Sequence, residues 1–517
     1  LPLGLKSQFV TPPDPSVFTN HFGYDGIGLR YKEVPTGICE LDPNVKSYSG
    51  YVDVDKDRHV FFWFFEARNG GHPDGTPLTV WLNGGPGASS MFGLFTENGP
   101  CKLEASGGVV NNPHSWSQAS HMLYIDQPVP VGFSYSDVRP AYMNTTSWRQ
   151  VILPDNVCPP EGQKMGTCGT WSDTYVRIYR KDSEEAAVDF WRTLQGFMGA
   201  FPQYSRNGFN LAAESYGGKY APIFSKYIID QNEKSIPGAT KIEINSVMIL
   251  NGCSDPKAEH ISFYNYTINP GNPYDTFPFD DAESKAIETA IFGPKQCLDS
   301  VNLCEAGKVE SCRRAGKICQ DTQDLLASKG GRDSTDIRVK LSDPTPDSHS
   351  YVDYLNAPQV QAAVGAYQNF SQNDNLVANY FWYYGEPERE AGTIEMIREL
   401  VEKGTNVALI YGDADVLCNF IGGEMTSHEV NAKGFESAGY QDVVSSSGQV
   451  FGQVKQAGLF SFVRVYYSGH FVPYYQPQGS LDLLTRTIHR KDLATGKVIA
   501  NADYASKGSA KSEFKEG

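Results

Sequence analysis

The chain has 517 residues, 40% of them apolar, with 50 Gly and 31 Pro, which describes a loop-rich globular protein with ample core material. Its formal charge of −16 excludes nucleic acid as a partner, since the phosphates would be repelled. No run of 18 apolar residues exists, which excludes a membrane-spanning helix.

The first residues, Leu1-Pro2-Leu3-Gly4, carry neither Met nor a signal-like apolar core and are expected to be a processed end. After an irregular opening stretch, strands are predicted in series at 60–67, 78–82, 122–125, 209–212, 244–250, 407–411 and 463–467. Each is short, continuously apolar and rich in β-branched or aromatic residues, as strands buried on both faces should be. Helical patterns alternate with them. Asp182-Ser183-Glu184-Glu185 opens the run Ala187, Phe190, Trp191, Leu194, Phe197, Met198, with acids in the first turn. Similar periods appear at 220–230, 358–367, 394–402 and 481–490.

This alternation predicts an α/β protein, with a mostly parallel central sheet covered by helices on both faces. Ligands in such sheets bind beyond the carboxyl ends of the strands. Two stretches break the rhythm. Between 253 and 350 the period fades into Pro, Gly, Asp and four close cysteines, so this stretch is expected to be an insertion, or lid subdomain, over the strand ends. Residues 1–252 and 351–504 then form the core, and 137–179 a shorter excursion. The polar residues 505–517 are expected to be a flexible tail.

Ten cysteines in a long chain suggest an oxidising compartment. Cys297, Cys304, Cys312 and Cys319 are spaced seven, eight and seven residues apart, a nested-bridge pattern, and Cys158 and Cys168 flank a Pro/Gly-rich loop. Zinc is the rival reading, but no C-x-x-C pair occurs, so disulfides are preferred and no metal is expected. Sequons at Asn144, Asn265 and Asn369 fit the secretory pathway, with secretion preferred over a vacuolar or lysosomal lumen.

The chemistry centres on Phe209-Asn210-Leu211-Ala212-Ala213-Glu214-Ser215-Tyr216-Gly217-Gly218. It predicts a strand, a sharp turn and a helix, with small residues around Ser215 at the turn and unpaired N–H groups beside it. Serine also caps ordinary helices, so the string alone does not decide. His470 follows the last predicted strand and is the candidate base. Asp415 or Asp413, past the strand before it, would orient that base. The order Ser215, Asp415, His470 is that of the α/β-hydrolase fold. Asn83-Gly84-Gly85-Pro86-Gly87 also follows a strand and lacks the Lys-Ser/Thr of a phosphate loop. Gly85 and Tyr216 N–H groups are the candidate oxyanion hole.

The stretches 81–90, 93–100 and 126–135 resemble the serine carboxypeptidase family, together with Glu214-Ser215-Tyr216-Gly217-Gly218, Gly412-Asp413-Ala414-Asp415 and Gly469-His470. The match is nearest to secreted fungal members. The resemblance implies the triad Ser215, Asp415 and His470, choosing Asp415 because the family's acid lies three residues before a cysteine, here Cys418. It also implies that Trp81, Asn83, Gly84 and Glu214 bind a peptide's free C-terminal carboxylate, with Glu97 paired to Glu214. Two adjacent carboxyls cannot both ionise cheaply, so one keeps a proton that a bound carboxylate can accept as a hydrogen bond. Release of single C-terminal residues from peptide substrates, best in acid and without a cofactor, is therefore expected.

Thr96, Cys418 and Phe471 match positions near the family's leaving-residue pocket. The family usually has Gly where Ala213 stands, and a cysteine bridged to the insertion where Ala88 stands. Cys39 and Cys101 are expected to pair, and Cys253 and Cys418 to stay free. An esterase or acyltransferase on the same fold, or a protective binding scaffold, are the alternative readings.

Overall fold

Successive side chains along each central strand enter different cores. On the strand Leu78–Leu82, residues Leu78, Val80 and Leu82 join one cluster and Trp81 the other. The strand Asn406–Gly412 sends Val407, Leu409 and Tyr411 to the first, and Ala408 and Ile410 to the second. A period of two with both faces apolar gives a sheet buried on each side. Each fully buried large side chain contributes about 1.5–3 kcal/mol through water exclusion.

The computed structural model describes residues 9–68, 75–104, 106–144, 146, 149–174, 178–305, 309–343 and 350–513. Leu1 to Gly4, Thr145 of the first sequon and the last four residues lie outside them. The described residues form one twelve-stranded sheet. At its centre, parallel strands run in the order His121–Ile125, Leu78–Leu82, Phe209–Glu214, Ile244–Leu250, Asn406–Gly412 and Phe460–Val465. Antiparallel strands extend both edges. The helices Ser183–Ala200, Gly217–Glu233 and Thr393–Glu402 cover one face, and Pro477–Ile488 the other. Ser183–Ala200 starts where Asp182 accepts the Glu185 N–H at 2.9 Å, and it buries Phe190, Trp191, Leu194, Phe197 and Met198.

The opening stretch, read as irregular, holds the strands Thr19–Phe22 and Gly28–Glu33. Thr19–Phe22 is the exposed edge strand, and Gly28–Glu33 beside it buries only Gly28 and Leu29, so neither has a continuous apolar run to read. Within 253–350 the fading period conceals the helices Pro256–Thr267, Asp281–Phe292, Cys297–Glu305 and Val309–Gln323. The helix Asp281–Phe292 buries only Ile287 and Ile291, so its apolar stripe is too narrow to show in sequence. Disulfides Cys297–Cys319 and Cys304–Cys312 hold the two helices that follow it.

Cys39 bonds to Cys101, and Cys158 to Cys168. The expectation that Cys253 and Cys418 stay free is corrected, for they form a disulfide across 165 residues. Nothing local signals this pair. It forms because Ile244–Leu250 and Asn406–Gly412 are neighbouring strands whose following loops meet. Closing so long a loop constrains the unfolded chain strongly. Replacing both residues by serine is expected to cost about 2–5 kcal/mol, read from urea unfolding under non-reducing conditions. An unchanged midpoint would contradict it.

The flexible tail is also corrected for 505–513. Ala505 bridges to Ala457 and Ser509 to Tyr440, and Ser506 donates its N–H to Gln456 O at 2.9 Å. Polar composition hid this because backbone groups and serine hydroxyls, not apolar side chains, supply the bonds. Asn369 is corrected as a glycan acceptor. It is buried, with Oδ1 accepting the Thr170 N–H at 2.7 Å and Nδ2 donating to Asn356 at 3.2 Å. Asn144 and Asn265 are half-exposed.

Candidate active site

The strand Phe209–Glu214 runs almost directly into the helix Gly217–Glu233, so the chain must reverse within two residues. Ser215 takes the reversal at φ 62°, a left-handed conformation that side chains resist. Its N–H donates to Leu250 O at 3.0 Å, and its carbonyl accepts from Gly218 at 2.9 Å and Cys253 at 3.0 Å. A Cβ on Gly217 would lie 2.6 Å from the Ala213 Cβ. The turn therefore accommodates alanine at 213 because position 217 has no side chain.

The loop after Leu82 presses against this turn. A Cβ on Gly84 would fall 2.3 Å from the Tyr216 nitrogen, and Gly85 adopts φ 108°. Among the described residues, neither the Gly85 nor the Tyr216 N–H donates to a backbone carbonyl. Two such amides side by side suit a developing oxyanion. In place of the missing cysteine bridge at Ala88, Ser89 N–H donates to Gln372 O at 2.9 Å and Asp374 N–H to Gly87 O at 2.8 Å.

Asp415 is buried at the end of Asn406–Gly412, and its Oδ2 accepts from His470 Nδ1 at 2.7 Å and Asn251 Nδ2 at 2.8 Å. The Leu417 and Cys418 amides complete its shell at 3.0 and 3.2 Å. With Nδ1 committed, Nε2 is the nitrogen left to exchange a proton. Burial opposes the imidazolium of His470, but the charge and hydrogen bond of Asp415 outweigh it, and Glu97 and Asp333 add to the rise. Asp413 turns elsewhere. It accepts from Tyr274 at 2.5 Å and faces Arg464 at 3.6 Å, with burial pushing it up to about 6.

Glu97 and Glu214 meet beneath Asn83, both buried. Trp81 Nε1 at 2.8 Å and the Gly93 N–H at 3.0 Å both donate to Asn83 Oδ1, which fixes its amide orientation. Asn83 Nδ2 then donates to Glu214 at 3.0 Å and Glu97 at 3.2 Å. Trp81 is fully buried, so it acts through Asn83 rather than facing a ligand. Neither carboxyl's Oε2 receives a donor from the described residues. Burial, joined for Glu214 by the charge of Glu97, raises both above the usual carboxylate range, Glu214 the more strongly. Such a pair keeps a proton to higher pH than an isolated carboxyl and, while it does, can offer it to an anion.

Around the site, Phe471 lies 4.8 Å from Phe92, centroid to centroid, and 5.2 Å from the His470 ring. Half-buried Thr96 donates its hydroxyl to Phe92 O at 2.7 Å. Cys418 sits beneath Asp415 with its sulfur tied to Cys253, so no thiol faces the pocket. Sequence reading missed Phe92 and the role of Asn251, which also accepts the Gly412 N–H at 3.0 Å. Asn251 ends a predicted strand, and that position was its only signal. His260 approaches Cys297 and Cys319, but the sulfurs share a disulfide and the ring bonds Glu388 at 2.8 Å, leaving no thiolate for a metal.

Comparison with known proteins adds an independent line. The family model described as serine carboxypeptidase matches residues 36–490. Carboxypeptidase S1 homolog B of Arthroderma otae is 34% identical, covering 96% of this chain and 81% of that protein. Carboxypeptidase S1 of Penicillium janthinellum is 33% identical, covering 89% of this chain and 99% of that one. The crystal structure of Kex1(delta)p, a prohormone-processing carboxypeptidase from Saccharomyces cerevisiae, superposes with TM-score 0.69 at 23% identity. It covers 88% of this chain and 95% of its own, and shares the fold.

Proposed function

The chain belongs to the serine carboxypeptidase family, and from that premise we propose that it releases single C-terminal amino acids in acid through an acyl-enzyme. The observation that carries the reading is the buried Glu97–Glu214 pair under Asn83, beside the Ser215 turn. A peptide's terminal carboxylate takes hydrogen bonds from the Gly84 N–H and the pair's proton, while Asn83 Nδ2 holds the two carboxyls in place. Ser215 Oγ attacks the last peptide carbonyl while His470 Nε2 takes its proton, and Asp415 steadies the imidazolium. The Gly85 and Tyr216 N–H groups receive the oxyanion. His470 returns the proton to the leaving amino acid, and water, activated by His470, hydrolyses the acyl-enzyme. Phe92 and Phe471 give the leaving residue's pocket an aromatic wall.

Two titrations with opposite consequences set the pH dependence. The carboxyl pair must keep its proton, so peptide binding weakens as pH rises through its raised pKa. His470 must lose its proton, and its raised pKa makes the chemistry fall in acid. Protonating Glu97 removes one of the charges that raise His470, which extends activity further into acid. The same pair makes the folded state bind protons more tightly than the unfolded chain, so stability also falls as pH rises through its folded pKa.

The test is KM against pH for a blocked peptide and its C-terminal amide. Wild type is expected to lose about 10–100-fold in affinity for the acid as the pair ionises, with the amide flat, because a hydrogen bond to a charge is worth about 1.5–3 kcal/mol. Glu214→Gln, which keeps a donor, is expected to flatten that rise. Identical profiles and rates for Glu214→Gln and wild type would remove the role of the pair. The five disulfides and the half-exposed Asn144 and Asn265 support passage through the secretory pathway, within which secretion is preferred over a vacuolar lumen.

A further inference from the structure

The stretch 253–350, expected from the sequence as an insertion, reaches the proposed triad near its end. There Arg332–Asp333 and Asp336–Lys340 pair as a short antiparallel hairpin, and Ser334 and Thr335 form its tip. Ser334 O accepts the Val416 N–H at 3.1 Å and the Leu417 N–H at 3.0 Å. Ile337 donates its N–H to Ala414 O at 2.9 Å, so the tip grips the segment around Asp415 from both sides. Thr335 O accepts the N–H of His470 itself at 2.8 Å. A Cβ on Gly469 would lie 2.5 Å from Thr335 O, which is a steric reason for glycine before the histidine.

The tip is itself held in shape. Asp333 Oδ1 accepts both the N–H and the hydroxyl of Thr335, each at 2.7 Å, closing an Asx turn. On its other side Asp336 pairs with Arg338 at 2.6 Å, and that guanidinium lies 5.3 Å from the Tyr274 ring and 5.4 Å from the Tyr475 ring. We infer that this hairpin tip, from Asp333 to Asp336, is a positioning element that fixes the Asp415 loop and the His470 loop in one register. The inference rests on the proposed triad and deepens it. None of these residues is catalytic; they act through the backbone of the two loops.

A structural strut alone would leave the chemistry of His470 unaltered, and here the electrostatics make a distinction. Among the described residues, the acids whose charge favours the imidazolium most are Asp415 from the strand-end loop, which bonds the ring, then Glu97 at the end of Gly93–Glu97 and Asp333 from the hairpin. All three are acids, so each supports the imidazolium. Removing the Asp333 charge while keeping its hydrogen-bond acceptor should move the acid limb of kcat/KM to lower pH.

The experiment compares Asp333→Ala with Asp333→Asn, reading kcat, KM, the pH profile and fluorophosphonate labelling. Asp333→Ala is expected to lower kcat about 10–100-fold with KM nearly unchanged, since small misplacements of a catalytic group have effects of that size. Asp333→Asn is expected to restore most of kcat, because its amide oxygen still accepts from Thr335, and to show the displaced acid limb. A folded Asp333→Ala with wild-type kcat would overturn the inference. Should Asp333→Ala not fold, Thr335→Val, which removes the hydroxyl half of the Asx turn, decides in its place: a lowered kcat with KM nearly unchanged supports the inference, and wild-type kcat overturns it. Failure of the triad itself would appear separately, as activity retained in Ser215→Ala.

Discussion

Alanine in place of Ser215 is expected to lower kcat/KM for release of a C-terminal residue from a blocked dipeptide by about 10⁴-fold or more. The size follows from the chemistry. In the proposed mechanism no acyl-enzyme forms without Oγ, and what remains is the modest help of the proposed Gly85 and Tyr216 amides and of substrate binding. The fold should survive. Ser215 is held at φ 62° by backbone bonds to Leu250, Gly218 and Cys253, none of which uses its hydroxyl. Steady-state rates with a circular-dichroism control check the result, and fluorophosphonate labelling should vanish with the activity. A variant that keeps normal release would move the nucleophile elsewhere.

Asp415→Asn is the second large effect, a fall of about 10⁴-fold in kcat with little change in KM. Asp415 Oδ2 accepts from both His470 Nδ1 and Asn251 Nδ2, at 2.7 and 2.8 Å, and two backbone amides fix the rest of the group. An asparagine cannot satisfy all four donors. Either its NH₂ faces one of them or the ring turns to the wrong tautomer. The charge that steadies the imidazolium is lost in both cases. Asp413→Asn is the control, because that carboxyl serves Tyr274 and Arg464. It should hold kcat within about tenfold of wild type under the same assay. Equal losses in the two variants would contradict the choice of Asp415.

What sequence can and cannot show follows from the range of each interaction. The strands 78–82 and 244–250 have the observed bounds because both their faces are buried and their apolar runs are unbroken. The turn at Ser215 was legible because it demands small residues within a few positions. The helices Cys297–Glu305 and Val309–Gln323 were not, since disulfides do there what an apolar stripe does elsewhere, and Asp281–Phe292 was not because its buried stripe is only Ile287 and Ile291. Cys253 and Cys418 share no local pattern, only adjacent strands. Glu97 and Glu214 were joined by family resemblance, and the reason they can share a site is the doubly anchored amide of Asn83. The hairpin tip left no trace at all. Its hold on Asp415 and His470 runs through backbone atoms, which every residue type carries.

In the proposed function a free carboxylate at the end of a peptide directs cleavage to the last bond. Time-resolved mass spectrometry of one peptide and its C-terminal amide, at acid pH with the wild-type enzyme, tests it most directly. A ladder shortened by one residue at a time is expected from the acid, with release from the amide slower by about tenfold or more. Internal fragments, or equal rates for acid and amide, would contradict it.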